Sequence, residues 1–453
     1  MSLGRDIKKG VRKITPRWVL GAYHAVTTWL AMLAYGFPAN NMKVIGVTGT
    51  DGKTSTVNFI SSILTEAGYK TGFTSTASNK VGNKTRMNQA KITMLGRWHL
   101  ARLLHEMRKA GADYVIVETS SEGLAQNRHV GIAYDVAVFT NLSPDHIESH
   151  GTFEKYRAAK EKLFSVLSKT KRKPQTPKIS VVNLDDENAE HFLAYDADQK
   201  WGFGLTQHPN ASVQHVMQPS EYSCAPSGVT FALKDGKTGE HVHIKTKLVG
   251  NFNLKNMLAA GSAARSQGVS LDVIKQALEK LEPVPGRMEP IDEGQPFTVI
   301  VDYAHAPAAL ELVYKTLKEQ LDPGARLIAV TGAAGGGRDK RKRGDIGRLA
   351  GAYAHFTVVT NEDPYDEDPD EIIAQVAAGV RSVTKTGGAT HVTLSDRVEG
   401  IRRALREAKS GDVVIITGKG CEPIIMGAAG KRIPHDDRVV VRKLLAELAR
   451  SSS

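Results

Sequence analysis

The nonapeptide Thr48-Gly49-Thr50-Asp51-Gly52-Lys53-Thr54-Ser55-Thr56 links an apolar run, Lys43–Thr48 (KVIGVT), to a segment with helical periodicity. Glycines in such a link let backbone N–H groups turn towards phosphate oxygens, and the N-terminus of the following helix adds partial positive charge. Lys53 is placed to bridge the terminal phosphates of a nucleotide, and Thr54 is placed to hold a magnesium ion. The usual phosphate loop has a glycine where this chain has Val47, so we predict a variant phosphate loop that binds ATP.

Short runs rich in β-branched residues recur along the chain. They are predicted to be strands buried on both faces of parallel sheets, and they are Lys43–Thr48, Tyr114–Glu118, Val136–Thr140, Thr298–Asp302, Leu327–Thr331, Phe356–Thr360 and Asp412–Thr417. Helical patterns such as Leu100–Lys109 and Leu271–Leu281 lie between many of them. This alternation predicts an α/β fold with at least two wound sheets. A linker is predicted at Glu282–Gly286 (EPVPG), where two prolines and a glycine follow a helix.

The composition describes a folded protein of two or three domains. The chain has 453 residues, of which 41% are hydrophobic, and this excludes wholesale disorder. Its two cysteines, Cys224 and Cys421, are far apart in sequence, so no disulfide framework or Cys-rich zinc site is available. A formal charge of +12 is compatible with nucleic acid, an anionic membrane surface or a polyanionic substrate, and charge alone does not choose among them.

The first 40 residues differ from the rest of the chain in composition. Residues 7–50 contain no Asp or Glu, and a cluster of basic residues precedes an apolar stretch from Trp18 to Phe37. His24, Thr27 and Thr28 interrupt that stretch, and a spanning helix with its basic end inside would carry the ATP-binding loop out of the cytoplasm. We therefore expect a cytoplasmic protein whose N-terminal helix packs on its own body. A peripheral helix at the inner face of the membrane stays as the alternative.

Two further polar segments follow predicted strands. Glu118 begins the segment Glu118-Thr119-Ser120-Ser121, and the next predicted strand leads into Thr140-Asn141-Leu142-Ser143-Pro144-Asp145-His146. Because the carboxyl ends of parallel strands form the ligand crevice of an open sheet, both segments should converge on the phosphate loop. The carboxylate of Glu118 and the imidazole of His146 are therefore candidate ligands for divalent cations.

These segments, in this order and at this spacing, resemble the Mur ligase family. The motifs that carry the resemblance in the first half are GTDGKT (49–54), ETSS (118–121), TNLSPDH (140–146), YRAAK (156–160) and GNFNLKN (250–256). Those in the second half are PGRME (285–289), VDYAH (301–305), GGGRDKRKR (335–343), GKGCE (418–422) and HDDR (435–438). The second set narrows the resemblance to the E-type branch, the UDP-N-acetylmuramyl-tripeptide synthetases, over about residues 41–445.

The resemblance implies a fold and an activity. The fold implied is a central P-loop ATPase-type Mur ligase domain over residues 41–284 and a C-terminal Rossmann-like Mur ligase domain over residues 285–453, preceded by the short helical segment 1–40. The activity implied is an ATP-dependent, ADP-forming amide ligation in peptidoglycan biosynthesis. An acceptor carboxylate attacks the γ-phosphate of ATP, and an amino acid captures the resulting acyl phosphate. ATP and Mg²⁺ are the implied cofactors, together with a carbamylated Lys160, because carbamylation turns a cation into a carboxylate-like metal ligand.

The resemblance also implies roles for individual residues. The residues implied to bind ATP are Gly49, Thr50, Asp51, Gly52, Lys53, Thr54, Ser55, Asn253, Asn256, Arg287, Asp302, Tyr303 and His305. The implied metal ligands are Thr54, Glu118, His146 and Lys160, and the implied catalytic groups are Lys53, Lys160, His146, Glu118 and Arg287. The acceptor is expected to contact Thr93, Ser120 and Arg128. The incoming amino acid is expected to contact Arg338, Glu362, Asp363, Tyr365, Gly418 and Glu422.

The sequence departs from the family pattern at the acceptor end. Forty residues of basic and apolar character stand where the family has a domain that holds the uridine diphosphate end of the acceptor. The acceptor motif Thr-Thr-Pro-Asp of the E-type branch appears here as Thr93-Met94-Leu95-Gly96, which removes an acidic group and a hydroxyl group. We therefore expect a muramyl-peptide acceptor without the nucleotide end, such as a lipid-linked peptidoglycan precursor.

A further departure concerns the incoming amino acid. Diaminopimelate-specific members carry Asp-Asn-Pro-Arg, whose arginine clamps the distal carboxylate, whereas this chain has Glu362-Asp363-Pro364-Tyr365. Tyrosine cannot form that clamp, and an acidic pocket of Glu362, Asp363 and Glu422 would suit a distal ammonium group. The sequence therefore favours lysine or ornithine. The alternative is that Tyr365 is only a loop aromatic and that another arginine reaches the carboxylate.

Two other functions stay open from the sequence. One is a non-catalytic ATP-binding scaffold of cell-wall synthesis, which would tolerate Lys160→Ala. The other is a ligase like folylpolyglutamate synthetase, which shares the phosphate loop but is not expected to show both GGGRDK and GKGCE. Nucleic-acid binding is not expected, because the basic run Arg338–Arg348 coincides with a family phosphate-side motif and aromatic residues make up only 6% of the chain. We expect a monomer that acts on small-molecule substrates.

Overall fold

The computed structural model describes residues 17–88, 90, 92–144, 150–206, 212–225, 228–337, 340–383 and 390–452. Within these ranges the chain forms two large sheets flanked by helices and a separate two-stranded ribbon. The α/β fold class predicted from the sequence is confirmed. Two predicted site residues, His146 and Arg338, lie outside the described residues.

The first sheet lies in the first two thirds of the chain. Its strands are β1 (Lys43–Thr48), β2 (Thr71–Thr74), β3 (Ser78–Val81), β4 (Lys84–Met87), β5 (Tyr114–Glu118), β6 (Val136–Phe139), β7 (Ile179–Asn183), β8 (Gln199–Phe203), β9 (His215–Ala225), β10 (Gly228–Asp235) and β11 (His241–Thr246). The helices of this part are α1 (Arg17–Ala34), α2 (Lys53–Glu66), α3 (Arg97–Lys109), α4 (Ser121–Ala125), α5 (Phe153–Lys169), α6 (Ala189–Leu193), α7 (Asn251–Arg265) and α8 (Leu271–Glu279). The strand order is β11-β10-β9-β8-β7-β6-β1-β5-β2-β3-β4. Strands from β9 to β2 in this order are parallel, and each edge is antiparallel.

The second sheet follows the predicted linker. Its strands are β12 (Glu289–Ile291), β13 (Thr298–Val301), β14 (Leu327–Thr331), β15 (Phe356–Thr360), β16 (Thr390–Leu394) and β17 (Val413–Ile416). They pair in the order β12-β13-β17-β14-β15-β16, and only the β12–β13 pair is antiparallel. The remaining elements are α9 (Pro307–Glu319), α10 (Arg341–Tyr353), α11 (Pro369–Val383), α12 (Arg397–Glu407), the ribbon strands β18 (Ile424–Met426) and β19 (Arg432–Pro434), and α13 (Asp437–Ser452).

The short runs rich in β-branched residues predicted the positions of the buried strands closely. β1, β5, β14 and β15 begin and end at the predicted residues, because both faces of these strands lie in the core and their sequences are continuously apolar. Two predicted strands extended one polar residue too far, at Thr140 and at Asp302. Each of these side chains makes hydrogen bonds in a loop instead: Thr140 Oγ1 donates to Asp51 O, and Asp302 accepts from backbone N–H groups.

The N-terminal helix α1 packs on the body of the protein along one face. Thr28, Ala31 and Met32 are buried there, and α1 contacts α3. Large apolar side chains on the other face of α1 are exposed. Among the described residues, no helix combines the length and the apolar character needed to cross a membrane.

The two sheets meet at the carboxyl ends of their parallel strands. A cavity of about 980 Å³ lies at this junction, and its lining includes residues that follow β1, β5, β6, β13, β14 and β15. The connecting segment also contributes, because Arg287 NH2 donates to Thr54 Oγ1 at 3.4 Å. Gly286, with φ of 66°, lies against the loop after β17, since a Cβ atom there would be 2.2 Å from Cys421 N. The ligand crevice expected of open parallel sheets is therefore shared by both.

One buried arginine organises the carboxyl ends of the second sheet. Arg397, at the start of α12, donates to both carboxylate oxygens of Asp437 at 2.8 Å, and both side chains are almost completely buried. The same guanidinium donates to Asn361 O at 3.2 Å and to Thr417 O at 2.8 Å. Arg397 therefore fixes the two loops that leave β15 and β17 towards the cavity.

We expect Arg397→Ala to lower the free energy of unfolding by about 3–5 kcal/mol, because the buried Asp437 carboxylate would lose its guanidinium partner and keep only His435 Nε2 at 2.8 Å. Burial alone would raise the pKa of Asp437, but the Arg397 guanidinium holds it well below its usual range. The matched control is Arg402→Ala on the same helix, which removes only partly exposed ion pairs with Glu447 and Glu399 and should have a far smaller effect. Urea unfolding followed by circular dichroism measures both, and equal losses in the two variants would contradict this role of Arg397.

Candidate active site at the junction of the two sheets

The phosphate loop has the strand–loop–helix geometry predicted for it. It leaves β1 at Thr48 and enters α2 at Lys53, with Gly52 at φ of 77°. The Lys53 ammonium donates to Gly49 O at 3.0 Å and to Thr50 O at 2.6 Å, so it lies over the loop. Residues 50–55 line the cavity. The N-terminus of α2 and a lysine thus border a space that can take phosphate groups.

The segment after β6 holds the phosphate loop in shape. Thr50 N donates to Asn141 O at 2.8 Å, and Asp51 N donates to Asn141 Oδ1 at 2.9 Å. Thr140 Oγ1 donates to Asp51 O at 2.7 Å, and a Cβ atom on Gly49 would lie 1.9 Å from that hydroxyl. Gly49 is therefore required by close approach of the neighbouring strand. This segment was predicted from the sequence to bind a metal ion. Its second role, positioning the phosphate loop, arises because β6 pairs with β1, and the sequence motif does not reveal that pairing.

Glu118, at the end of β5, accepts hydrogen bonds from three groups. Thr54 Oγ1 donates to Glu118 Oε2 at 2.9 Å, Thr76 N donates to the same oxygen at 2.7 Å, and Thr76 Oγ1 donates to Oε1 at 2.8 Å. Glu118 and Thr54 are both buried and line the cavity. An adjacent hydroxyl and carboxylate are the hard oxygen ligands that Mg²⁺ prefers. Thr54 and Glu118 therefore fit the predicted magnesium site, and Thr76 is a contributor that sequence analysis missed.

Lys160 lies inside the site rather than on the surface of α5. Its side chain is buried, Nζ donates to Gly49 O, and Nζ is 4.4 Å from the centroid of the Tyr156 ring. The Tyr156 hydroxyl lies 3.1 Å from Thr50 Oγ1. The YRAAK motif thus contacts the phosphate loop, as its predicted role requires. Within the described residues there is no group of three or more His, Cys, Asp and Glu side chains that could hold a metal ion, and His146 lies outside them.

The asparagine motif of α7 contacts the other side of the phosphate loop. A Cβ atom on Gly52 would lie 2.1 Å from Asn256 Oδ1, so the loop backbone and this amide are in direct contact. Asn253 Nδ2 donates to Val249 O at 2.9 Å. Both asparagines are buried at the edge of the cavity, beside the loop that they were predicted to complement.

Residues of the second sheet close the cavity from the opposite side. The Arg287 guanidinium carbon lies 4.2 Å from the centre of the Tyr303 ring, and Tyr303 stands edge-on to His305 at 4.8 Å between ring centroids. Asp302 accepts from Met288 N and Ala304 N, both at 2.7 Å. Burial raises the pKa of Asp302. Its carboxylate thus shapes the turn that presents Arg287 and Tyr303.

The predicted acceptor residues lie together at one end of the cavity. Thr93 Oγ1 lies within hydrogen-bond distance of Thr76 Oγ1, at 3.0 Å. Ser120 caps α4 by accepting from Gly123 N at 3.2 Å. Arg128 donates to Met94 O and to a neighbouring glutamine. Thr93, Ser120 and Arg128 all line the cavity.

Among the described residues that were predicted to bind the incoming amino acid, Glu362 lines the same cavity. Its side chain is buried, and its Oε2 atom has no hydrogen-bond partner in the described part of the chain. Burial raises the pKa of this carboxyl group, whereas His305 and Lys419 act in the opposite direction. Gly418 packs against it, because a Cβ atom at 418 would lie 2.6 Å from Glu362 Oε2.

The acidic pocket predicted from the sequence contains a lysine that sequence analysis missed. Lys419 is fully buried, and its Nζ lies 2.8 Å from Asp363 Oδ1 and 2.7 Å from Glu422 Oε2. Burial would lower the pKa of Lys419, but these two carboxylates hold it above its usual value. Glu362, Asp363 and Glu422 lie close together, but Lys419 already forms ion pairs with Asp363 and Glu422.

Tyr365 packs over the glycine-rich loop of the second sheet. A Cβ atom on Gly336 would lie 2.7 Å from its ring, and Tyr365 has a positive φ of 54°. The same loop is held by Glu367, which accepts from Gly337 N and pairs with the buried Arg343 at 2.9 Å. The Arg343 hydrogen bond lowers the pKa of Glu367 to about 2. Tyr365 is thus half-buried against the loop rather than part of the cavity lining.

Comparison with known proteins agrees with this architecture. Residues 47–264 match the Mur ligase middle domain, and residues 286–420 match the Mur ligase, glutamate ligase domain. The chain belongs to the Mur ligase family. The UDP-N-acetylmuramoyl-L-alanyl-D-glutamate–2,6-diaminopimelate ligase of Geobacillus thermodenitrificans is 38% identical over 421 residues, 92% of this chain and 82% of that protein. The UDP-N-acetylmuramyl-tripeptide synthetase of a Roseiflexus species is 37% identical over 428 residues, 92% of this chain and 81% of that protein.

Solved structures show the same arrangement as this Mur ligase. A UDP-N-acetylmuramoyl-L-alanyl-D-glutamate–2,6-diaminopimelate ligase is similar with a TM-score of 0.61 at 32% identity, over 91% of this chain and 80% of that one. The folylpolyglutamate synthase of Mycobacterium tuberculosis has a TM-score of 0.68 at 18% identity, over 94% and 95% of the two chains. The second likeness shows a shared fold alone.

This Mur ligase is an ATP-dependent acid–amino-acid ligase, so it is an enzyme and not a scaffold. Its cavity joins a phosphate loop, an acceptor end and a carboxylate from the second sheet. Lys53 and Arg287 bring positive charge to the part of the cavity beside the phosphate loop. A magnesium ion held by Thr54 and Glu118 would neutralise phosphate charge when bound. Enclosure between two sheets limits the access of water to a reactive acyl phosphate.

We expect Glu118→Gln to lower kcat/KM for ATP by roughly 100-fold or more, because a neutral amide is a poor magnesium ligand. The amide still accepts from Thr54 or Thr76, so the fold should survive. The control is Glu66→Gln on α2, whose carboxylate makes only a surface pair with Lys280. ADP release measured over a range of magnesium concentrations checks the result. Normal activity of Glu118→Gln at low magnesium would exclude Glu118 as a metal ligand.

Proposed function

We propose that this Mur ligase joins a diamino acid, lysine or ornithine, to the terminal carboxylate of a muramyl-peptide acceptor. The acceptor carboxylate attacks the γ-phosphorus of ATP, and the bond from that phosphorus to the β–γ bridging oxygen breaks, which releases ADP. The amine of the amino acid then attacks the acyl carbon, inorganic phosphate leaves, and the amine loses a proton. The observation that carries the proposal is the carboxylate of Glu362 in the same cavity as the phosphate loop.

Glu362 is suited to bind an ammonium group. A buried carboxylate with an unpartnered oxygen is costly unless a cation or a donor satisfies it. Lys419 is occupied with Asp363 and Glu422, and these three side chains together carry one net negative charge. The amino-acid end of the cavity is therefore acidic overall, which supports a substrate with two amino groups.

Tyr365 argues against a distal carboxylate on the substrate. The family's diaminopimelate-specific members place an arginine at this position for a bidentate clamp, and the names of several relatives specify 2,6-diaminopimelate. Here the residue is a tyrosine that packs on Gly336. This side chain offers no positive charge, which supports lysine or ornithine over diaminopimelate.

The acceptor end of the cavity supports a muramyl peptide that is bound without its nucleotide end. Its polar groups are those of Thr93, Ser120 and Arg128, which can take a peptide carboxylate and amide groups. Met94 and Leu95, which replace a hydroxyl-bearing and a proline position of the family motif, are buried apolar residues. We propose a lipid-linked precursor as the acceptor, which would bring the enzyme to the inner face of the membrane.

Mass spectrometry of the ligation products tests the proposal. The full chain is incubated with ATP, Mg²⁺ and an equimolar mixture of lysine, ornithine and diaminopimelate, with UDP-muramyl-dipeptide in one tube and its lipid-linked counterpart in another. We expect a lysine or ornithine adduct, and more of it in the lipid-linked tube. A diaminopimelate adduct would overturn the proposed amino acid, and product from the UDP-linked acceptor alone would overturn the proposed acceptor.

We expect Glu362→Gln to raise the KM for lysine by about 100-fold, since it removes a buried charge partner, with a smaller change in the KM for ATP. Because burial raises the pKa of Glu362, the carboxyl group becomes neutral at a pH above the usual glutamate value of about 4.3. The wild-type KM for lysine should therefore rise as the pH falls through that raised pKa. Glu362→Gln should lose this pH dependence. Asp366→Asn, an exposed carboxylate bonded to Ala429 N, is the matched control.

We propose that Lys160 is carbamylated in the active enzyme, because its buried Nζ lies against the phosphate loop, where a second metal ligand would be useful. Lys160→Ala and Lys160→Arg should both lose at least about 100-fold in kcat, since neither can form a carbamate. Lys162→Arg, a neighbour on α5 that donates to Leu124 O, should stay active. Full activity of Lys160→Arg would contradict carbamylation while leaving the ligase function untouched.

A further inference from the structure

The outer face of α1 is an exposed apolar surface. Tyr23, Val26, Trp29, Leu30 and Leu33 are 45–59% exposed, and their spacing places them on one side of the helix. These are the large hydrophobic side chains that a soluble surface usually keeps apart. We call this set the outer face of α1.

The opposite face of the same helix is fixed to the enzyme. Thr28, Ala31 and Met32 are completely buried, and Met32 packs against Gly131, where a Cβ atom would lie 2.7 Å from the Met32 side chain. Asn127 Nδ2 donates to Gly21 O at 3.0 Å. Rotating α1 to bury its outer face would break these contacts, so the outer face stays uncovered by the described part of the chain.

The charge around this surface indicates what the partner is. No residue from Trp18 to Ala34 is charged, and the preceding residues include the cations Arg5, Lys8, Lys9, Arg12 and Lys13. After Asp6, no acidic residue occurs before Asp51. An apolar helix face that contains tryptophan and tyrosine, next to a basic segment, matches the chemistry of an anionic bilayer surface.

We propose that the outer face of α1 docks on an anionic membrane, with its apolar side chains in the headgroup region, and that the cations preceding it in the sequence strengthen the attraction. The helix would lie in the plane of the interface, since none of the described helices can span a bilayer. Trp98, the second residue of α3, is also 55% exposed, and α3 contacts α1. Tryptophan and tyrosine are the side chains that favour this depth.

The docking surface adjoins the acceptor end of the cavity. His24 of α1 contacts the Arg97 guanidinium, and Arg97 lies close enough to Arg128 that its charge adds to burial in lowering the pKa of Arg128. Arg128 lines the cavity at the acceptor end. Membrane docking would therefore hold that end next to the bilayer, where a lipid-linked acceptor resides. This last step rests on the proposed function, whereas docking itself does not.

Vesicle sedimentation tests the docking surface. The full chain is mixed with vesicles of phosphatidylglycerol and phosphatidylcholine, or with vesicles of phosphatidylcholine alone. We expect binding to the anionic vesicles to be roughly tenfold or more stronger than to the neutral ones. It should also weaken as salt is raised.

The test variant replaces three outer-face residues, as Trp29→Ser, Leu30→Ser and Leu33→Ser together. We expect it to bind anionic vesicles about 100-fold more weakly, since three inserted side chains are lost. The matched control carries Tyr222→Ser, Ile433→Ser and Val439→Ser, three exposed apolar residues elsewhere, and should bind as the wild type does. Thermal unfolding of both variants shows that each is folded. A blue shift of wild-type tryptophan emission on adding vesicles is a second measure that needs no variant.

Several outcomes would overturn the proposal. These are wild-type protein that stays in solution with anionic vesicles, and a test variant that binds as well as its control. A third outcome is wild-type protein that does not bind vesicles but is a dimer in light scattering, while the test variant is a monomer. That result would assign the outer face to contact with a second copy of the chain. Activity on a soluble acceptor is measured in parallel. Loss of activity on the soluble acceptor would count against the proposed ligation and not against docking.

Discussion

The carboxylate of Glu118 is the group on which the rest of the active site depends. It ends a strand next to β1 and binds donors from two segments, the hydroxyl of Thr54 and both the amide and hydroxyl of Thr76. A carboxylate so deeply buried is stable only when its oxygens are satisfied. The helix after the phosphate loop, the end of β5 and the segment after β2 are therefore held in one arrangement, to which Arg287 adds the second sheet.

The sequence was most informative where a role depends on local chain geometry. Strands such as Lys43–Thr48 and Phe356–Thr360 were located to the residue, because both faces are buried and the runs are rich in β-branched residues. Gly52 and Thr54, in the loop and helix after β1, and Glu118, at the end of β5, all line the cavity because parallel strands end together. The family match also confirmed the enzyme class that the ordered motifs implied.

Interactions between distant segments could not be obtained in this way. Lys419 and Asp363 are 56 positions apart, and nothing in either motif shows that the lysine neutralises part of the acidic pocket. The contact of Thr76 with Glu118 depends on the pairing of β2 beside β5. The packing of Tyr365 against Gly336 likewise requires the fold of two loops at once. The shape of a cavity and its net charge depend on both assembled sheets. A motif alone therefore predicts which residues line a cavity better than it predicts the net charge there.

The close approach of Gly286 to Gly420 and Cys421 has a consequence for how the two sides of the cavity are joined. To open the crevice, the second sheet must move away from the phosphate loop and release the contact between Arg287 and Thr54. Gly286 abuts the backbone of the loop that carries Lys419 and Glu422, so that loop is displaced by the same movement. The connecting segment thus reaches the phosphate loop through Arg287 and the loop after β17 through Gly286, two consecutive residues. A side chain introduced at position 286 would therefore disturb both sides of the cavity together.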